Sequence, residues 1–178
     1  MTALAASGPL LFAAEGPFLR YYICADNNFK YISTTRVFQA QSIHGISTRF
    51  KNSDHGLASV LLVCWGGRLV RTFEINFEVD STANRLVKFH RRFYSAVLKM
   101  SDWIFCLSWG PEDTSTHRVG VCAAVTAHNA LLELTIERQV EHDLLDGYYS
   151  PFIFLSVCFI LPEIRIHGFE SEAIMERS

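Results

Sequence analysis

The chain has 178 residues, 49% of them hydrophobic, and 16 Lys and Arg stand against 18 Asp and Glu for a net charge of −2. That length fits one ordinary domain with enough apolar side chains for a core. The even charge excludes a chain that wraps nucleic acid along its whole surface, although not a local basic patch.

In chain order, Met1 to Ala14 is apolar, but no Lys or Arg precedes Arg20, and Ser7-Gly8-Pro9 interrupts the run. A secretory signal needs a charged start and an unbroken apolar stretch, so none is expected. Leu10 to Ala14 is a short strand ending at the turn signal Glu15-Gly16-Pro17. Phe18 to Cys24 and Phe29 to Phe38 are rich in aromatic and β-branched residues, with Asp26-Asn27-Asn28 as the turn between them. These three segments predict successive antiparallel strands.

Ile43 to Phe50 predicts the next strand, followed by a polar loop from Lys51 to Gly56. Leu57 to Trp65 is almost continuously apolar, as a strand covered on both faces should be. Gly66-Gly67 supplies a tight hairpin turn. Arg68 to Phe77 then alternates, with Leu69, Arg71, Phe73, Ile75 and Phe77 on one face. Glu78 to Arg85 reads as a polar connection. In Leu86 to Met100, Phe89, Phe93, Val97 and Met100 have near-helical spacing, but a strand or irregular segment is the preferred reading. Asp102 to Trp109, Arg118 to Thr126 and Ala130 to Ile136 predict three more strands, with a loop at Gly110 to His117 and a two-residue turn at His128-Asn129.

After Glu137 the character changes. Gln139 to Asp146 is polar and acidic, and Pro162 to Ser178 is mixed. The apolar run Phe152 to Leu161 has ten residues, about half of what a membrane-spanning helix needs. A buried strand is expected there, with no membrane insertion.

One pattern occurs twice. Ile43-His44-Gly45-Ile46 precedes the hairpin Leu61 to Val70, and Asp102-Trp103-Ile104-Phe105 precedes the hairpin Cys122 to Leu132. The turns at Gly66 and His128 stand 62 positions apart. A strand plus hairpin repeated at a fixed period is how propeller blades look in sequence. The expected fold is therefore all-β: two to three WD40-like β-propeller blades over residues 8–136, forming an incomplete propeller, with an atypical, irregular tail over 137–178. A β-sandwich is the alternative.

The chemistry-bearing motifs are absent: GxGxxG, GxxxxGK[ST], GxSxG and HExxH do not occur. Glu141-His142-Asp143 is the tight acid–histidine cluster, and a solvated turn is its expected role. His44 is expected to be a structural histidine satisfied by its neighbours. Trp65, Trp103 and Trp109 are expected to fill space between strands. Five widely spread cysteines (24, 64, 106, 122, 158), with no CxxC spacing, point to a reducing compartment, and a cytoplasmic location is expected. No catalytic residue, cofactor, metal or small-molecule ligand is expected, and the chain is read as no enzyme. One segment interleaves bases with rings: Lys88-Phe89-His90-Arg91-Arg92-Phe93-Tyr94, with Lys99 after it. Lys88, Arg91, Arg92 and Lys99 are candidate RNA contacts, since cations meet phosphates while rings stack on bases. The competing reading, favoured by the residues alone, is a strand whose rings face the core and whose charges face water.

Met100-Ser101-Asp102-Trp103-Ile104 followed by Ala127-His128-Asn129-Ala130-Leu131-Leu132 resembles the early blades of the WD repeat-containing protein six family. Leu10 to Pro17 resembles that family's opening strand and Gly-Pro turn, and Val37-Phe38 through Ile43-His44-Gly45-Ile46 is similar to its first-blade start. The resemblance covers residues 8 to 136. It implies a non-catalytic subunit that holds a tRNA 2′-O-ribose methyltransferase and helps to place tRNA for methylation of the wobble nucleotide, with methyl transfer belonging to the partner. The family's proteins are longer and build more than one propeller, whereas this chain covers about two blades. A generic WD-repeat interaction scaffold, for instance in vesicle trafficking, and a truncated product without function are the other readings.

Overall fold

The computed structural model describes residues 1–25, 28–51, 58–80, 85–93, 97–110, 118–137 and 155–160. The turn expected at 26–27, the loop interiors at 52–56 and 111–117, Tyr94, the Glu141-His142-Asp143 cluster and most of the tail lie outside these residues.

All regular structure among the described residues is β-strand: β1 (Ala3–Ser7), β2 (Leu10–Glu15), β3 (Phe18–Ala25), β4 (Asn28–Arg36), β5 (Gly45–Lys51), β6 (Ala58–Gly66), β7 (Leu69–Asp80), β8 (Arg85–Phe93), β9 (Leu98–Lys99), β10 (Ile104–Trp109), β11 (Arg118–Thr126), β12 (Leu131–Glu137) and β13 (Leu155–Ile160). They form three open antiparallel sheets, each a meander of four strands in chain order: β1-β2-β3-β4, β5-β6-β7-β8 and β10-β11-β12-β13. In the second sheet β9 pairs with β7 at Leu69 and Val70, beyond the stretch of β7 that β8 occupies.

Turn chemistry sets the meanders. The β1–β2, β2–β3 and β6–β7 connections are two-residue loops, Gly8-Pro9, Gly16-Pro17 and Gly67-Arg68. In each the first residue is a glycine at positive φ, between 56° and 58°. A first turn residue in that region matches the right-handed twist of the flanking strands, and in two of the loops proline's fixed φ suits the second position. The turn expected at Gly66-Gly67 is thus shifted by one, because Gly66 still pairs with Leu69. The turn expected at His128-Asn129 is also longer: Val125 pairs with Leu131, Asn129 N donates to Thr126 O at 3.0 Å, and Asn129 takes the positive φ (59°).

Other differences have local causes. β1 escapes sequence reading because its alanines alternate between half-buried and exposed, with no strong β-formers. β7 runs on to Asp80, past the expected end at Phe77, with Glu78 opposite Lys88. The 86–100 segment does not follow its near-helical spacing; β8 is a strand that places Phe89 opposite Phe77. In the tail, the strand expected within Phe152 to Leu161 forms at Leu155–Ile160, pairs along β12 and completes the third sheet, so the tail is not irregular throughout.

The second sheet lies between the other two. On β6, Val60, Leu62 and Cys64 join one core with Leu10, Phe12, Leu19 and Tyr21 of the first sheet. The intervening Leu61, Val63 and Trp65 join another core with Cys122, Ala124, Leu132 and Leu134 of the third. This double burial is why β6 is apolar at consecutive positions. Sheets approach one another at their first strands, β1 against β5 and β5 against β10. Thr48 Oγ1 donates to Ala6 O at 3.4 Å, and Trp109 Nε1 to Ser47 O at 3.3 Å. Arg49 stacks over the Trp109 ring at 5.0 Å and donates to Gly110 O.

The junctions repeat as well. Ile43 N donates to Gly16 O at 2.8 Å and Val37 N to Pro17 O at 2.9 Å. One unit later, Ile104 N donates to Gly67 O at 2.8 Å and Met100 N to Arg68 O at 2.7 Å. The β2–β3 turn of the first sheet thus holds the linker into the second, and the β6–β7 turn holds the linker into the third. Sequence self-similarity was visible only at 43–70 and 102–132; the backbone carries the repeat through all three sheets.

Candidate functional site

Two regions hold the candidate side chains. The first is the basic–aromatic strand β8, at the edge of the second sheet. Register decides where its residues point. Phe89 stands opposite Phe77 and Arg91 opposite Ile75, on the face that packs against the first sheet. There the Phe89 ring meets the Tyr21 ring at 5.4 Å and the Arg91 guanidinium sits 5.6 Å from the Tyr21 centroid. Tyr21 is fully buried, and burial pushes its hydroxyl up to about 12. Arg91 therefore spends its charge on an internal ring, an arrangement worth about 0.5–1 kcal/mol or more. Lys88 pairs across the strand with Glu78 at 2.9 Å, both partners solvent-facing. Such a pair is worth about 0–1 kcal/mol and exchanges readily for another anion. Arg92 stands opposite Glu74, and its side chain lies outside the described residues. Lys99 is exposed on β9, opposite Leu69.

The three candidates with described side chains, Lys88, Arg91 and Lys99, thus form no cluster. Lys88 and Lys99 face β7 residues nine positions apart, Glu78 and Leu69, which at about 3.3 Å per residue separates them by about 30 Å. Lys88 and Lys99 mark the two ends of an edge, with Arg91 turned inward between them.

The second region is the end of the stack where the turns and linkers meet. Asp102, in the linker before β10, reaches the β11–β12 turn. Its Oδ2 accepts from His128 N at 3.0 Å and from His128 Nδ1 at 2.8 Å, and Oδ1 accepts from Trp103 N at 2.7 Å. The His128 ring above all, with the two backbone N–H groups, holds the Asp102 carboxyl well below the ordinary range. One unit earlier His44 plays the corresponding part, and its Nδ1 accepts from Gly67 N at 3.3 Å. His44 is satisfied by backbone, as expected, but in the exposed linker before β5 rather than within the strand.

Trp103 departs from expectation. Trp65 is buried between the second and third sheets and Trp109 is pinned between β5 and β10, yet Trp103 is 54% exposed. Its ring tilts against His44 at 6.4 Å between centroids. The linker position explains this, for the sheet does not begin until Ile104. Sequence reading missed the Asp102–His128 pair because its members are 26 residues apart; the available signal was their matched position, one just before the strand and one in the turn, in the two repeat copies.

Asp102 spends its oxygens on N–H groups of its own fold. Among the described residues no three His, Cys, Asp or Glu gather to hold a metal ion, and none forms a helix long and apolar enough to cross a membrane. An open groove of about 530 Å³ lies beside Glu15, Gly16, Pro17 and Arg20, where Arg20 pairs with Glu15. Burial raises the thiols of Cys64 and Cys122, the latter to about 12, while Cys24 and Cys106 are exposed. In comparisons with known proteins, no family model matches the chain and no curated protein matches it.

Proposed function

We propose that the chain is a non-catalytic scaffold of WD40-like propeller blades that holds a protein partner, and that the partner is a tRNA 2′-O-ribose methyltransferase. The observation that carries the scaffold reading is the repeated unit: a four-stranded meander whose first strand lies inward and whose turn holds the linker into the next unit. Propellers are built by radial repetition of such sheets, and they present turns and linkers as a recognition surface. The methyltransferase part rests on the resemblance of 100–104 and 127–132, the residues that form the Asp102–His128 junction. In this reading Trp103 and His128, exposed beside that junction, belong to the partner surface, and tRNA is met through the complex.

The test is co-elution of the purified chain with a tRNA 2′-O-methyltransferase, followed by an assay of wobble-nucleotide methylation with and without the chain. Co-elution that raises methylation supports the reading; separate elution with unchanged methylation overturns it. Changing Arg91 and Arg92 together to Glu should weaken tRNA retention by the complex and flatten its salt dependence.

A second reading is favoured by one observation. Arg91 lies against Tyr21 and Lys88 against Glu78, so the basic strand serves the fold before it serves a ligand. A protein-interaction scaffold with no RNA contact fits that placement, and unchanged tRNA retention in the double variant would select it.

A further inference from the structure

We infer that this chain binds unpaired nucleotides of a single RNA strand at the junction of the second and third sheets, a base stacking on Trp103 and the flanking phosphates meeting Arg68 and Lys99. The inference deepens the proposed function and rests on its RNA part alone: a contact met there through the complex is assigned to this chain's own side chains.

Trp103 is exposed and fixed at once. Its N–H donates to Asp102 Oδ1 at 2.7 Å, and its carbonyl accepts from Ala127 N at 2.9 Å. The linker on either side of it is pinned to one turn, Met100 N donating to Arg68 O and Ile104 N to Gly67 O. His44 backs the indole at 6.4 Å with an interplanar angle of 34°, and His44 is itself held by Gly67 N. The fold therefore holds a large ring in one place while leaving 54% of it in solvent. A ring ordered in advance loses little freedom when a ligand stacks on it.

The turn that pins this linker also supplies cations. Arg68 is its second residue, and Lys99 stands opposite Leu69, just before Met100. Each lies within one residue of the Met100 N to Arg68 O bond, so the two are neighbours beside the Trp103 linker. Both side chains are exposed, and no acidic side chain among the described residues pairs with either. Lys88 and Arg91 differ, for Glu78 and Tyr21 already engage them. The acid at the junction, Asp102, is 15% exposed and spends both oxygens on N–H groups. The open groups are thus a held ring and two cations. A ligand that answers all three brings negative charge and a flat π-face together, as every nucleotide of a single strand does. A duplex keeps its bases stacked on one another and has no free face for Trp103. An acidic protein segment answers the cations and leaves the indole without a part.

The experiment is fluorescence anisotropy of a labelled uridine decanucleotide titrated with the full chain over a series of salt concentrations. Saturable binding is expected, with a slope of log K on log salt of about −1.4, the value for two phosphate contacts on a single strand. Trp103→Ala should weaken binding about 5-fold to 150-fold and leave that slope unchanged, and Trp103→Phe should recover most of the loss. Arg68→Gln with Lys99→Gln should weaken binding and flatten the slope toward zero. Circular dichroism verifies an unchanged strand signal in each variant. A decanucleotide that stays unbound, or that all variants bind alike, overturns the inference. So does equal affinity for an RNA duplex. A glutamate decapeptide that displaces the RNA and binds Trp103→Ala as well as the native chain would make an acidic protein segment the occupant and overturn it too. No methyltransferase is present, so failure here leaves co-elution with that partner standing, and failed co-elution leaves this result standing.

Discussion

The second and third sheets share one plan, and their central strands read differently. In β6 every residue from Val60 to Trp65 is buried. In β11 burial alternates: Cys122, Ala124 and Thr126 are buried, whereas Ala123 and Val125 are exposed. The pleat is the same; the number of neighbours differs. A strand with a sheet on each side needs apolar residues at every position, and a strand with one covered side needs them at every second position. The apolar pattern of a central strand thus reports how many of its faces are packed.

Removing atoms from the doubly covered strand should cost most. Leu62→Ala, at a fully buried site between the first and second sheets, should lower stability by about 2–5 kcal/mol in a urea melt. The same experiment on Val125→Ala, in the half-covered strand, should show a change within about 0.5 kcal/mol. Equal losses at the two sites would break the comparison between the sheets.

Gly45→Ala ranks next. A Cβ at Gly45 would fall on the Trp65 indole across the β5–β6 pair. Overpacking of this kind costs about 1–3 kcal/mol, measurable as a lowered denaturation midpoint with blunted Trp65 fluorescence change. The third sheet carries the contact with the roles exchanged, for a Cβ at Gly120 of β11 would meet the Trp109 ring of β10 at 2.7 Å.

Asp102 gives the pH arm. Its folded carboxyl is held below the ordinary value of about 3.9. A depressed carboxylate contributes stability that is complete above the unfolded value and drains away as pH falls through the folded one. The wild-type chain should therefore lose stability as pH drops below about 4, and Asp102→Asn should lose less over the same interval while starting lower at neutral pH. Parallel acid profiles for the two would remove Asp102 from the junction.

The smallest effect is chemical. At neutral pH a maleimide should label exposed Cys24 and Cys106 in the native chain and spare Cys64 and Cys122, whose thiols are buried and held protonated. Peptide mass spectrometry reads the result, and prompt labelling of Cys64 would mean that the second sheet is less covered than its packing indicates.

Most strands were legible because patterns of period two survive in sequence: β2, β3, β4, β5, β6, β7, β10, β11 and β12 fall where alternation, β-forming residues or a double-faced apolar run put them. What was illegible depended on partners far along the chain. β1 is alanine-rich and becomes a strand by pairing with β2. The apolar run Phe152 to Leu161 announced a strand, and Leu155–Ile160 is one, but nothing in its sequence pointed to β12 as its partner. The candidate site shows the same limit. Composition picks out Lys88, Arg91, Arg92 and Lys99 as one cluster, and only the register of β8 on β7 reveals that Arg91 faces Tyr21 while Lys99 stands at the other end of the edge. Asp102 and His128 have no adjacent charge to announce them; a junction between a linker and a turn brings them together.

The turn that grips each linker also imposes an order of assembly. Gly16 and Pro17 leave the ribosome before Val37 and Ile43, and Gly67 and Arg68 before Met100 and Ile104, so the carbonyls that receive each linker are synthesised ahead of the amides that bind them. A finished sheet is thus a template for the start of its successor. Each meander pairs strands adjacent in sequence, so a unit can be completed before its successor is made. The order of synthesis is thus the order in which the linker-binding carbonyls become available.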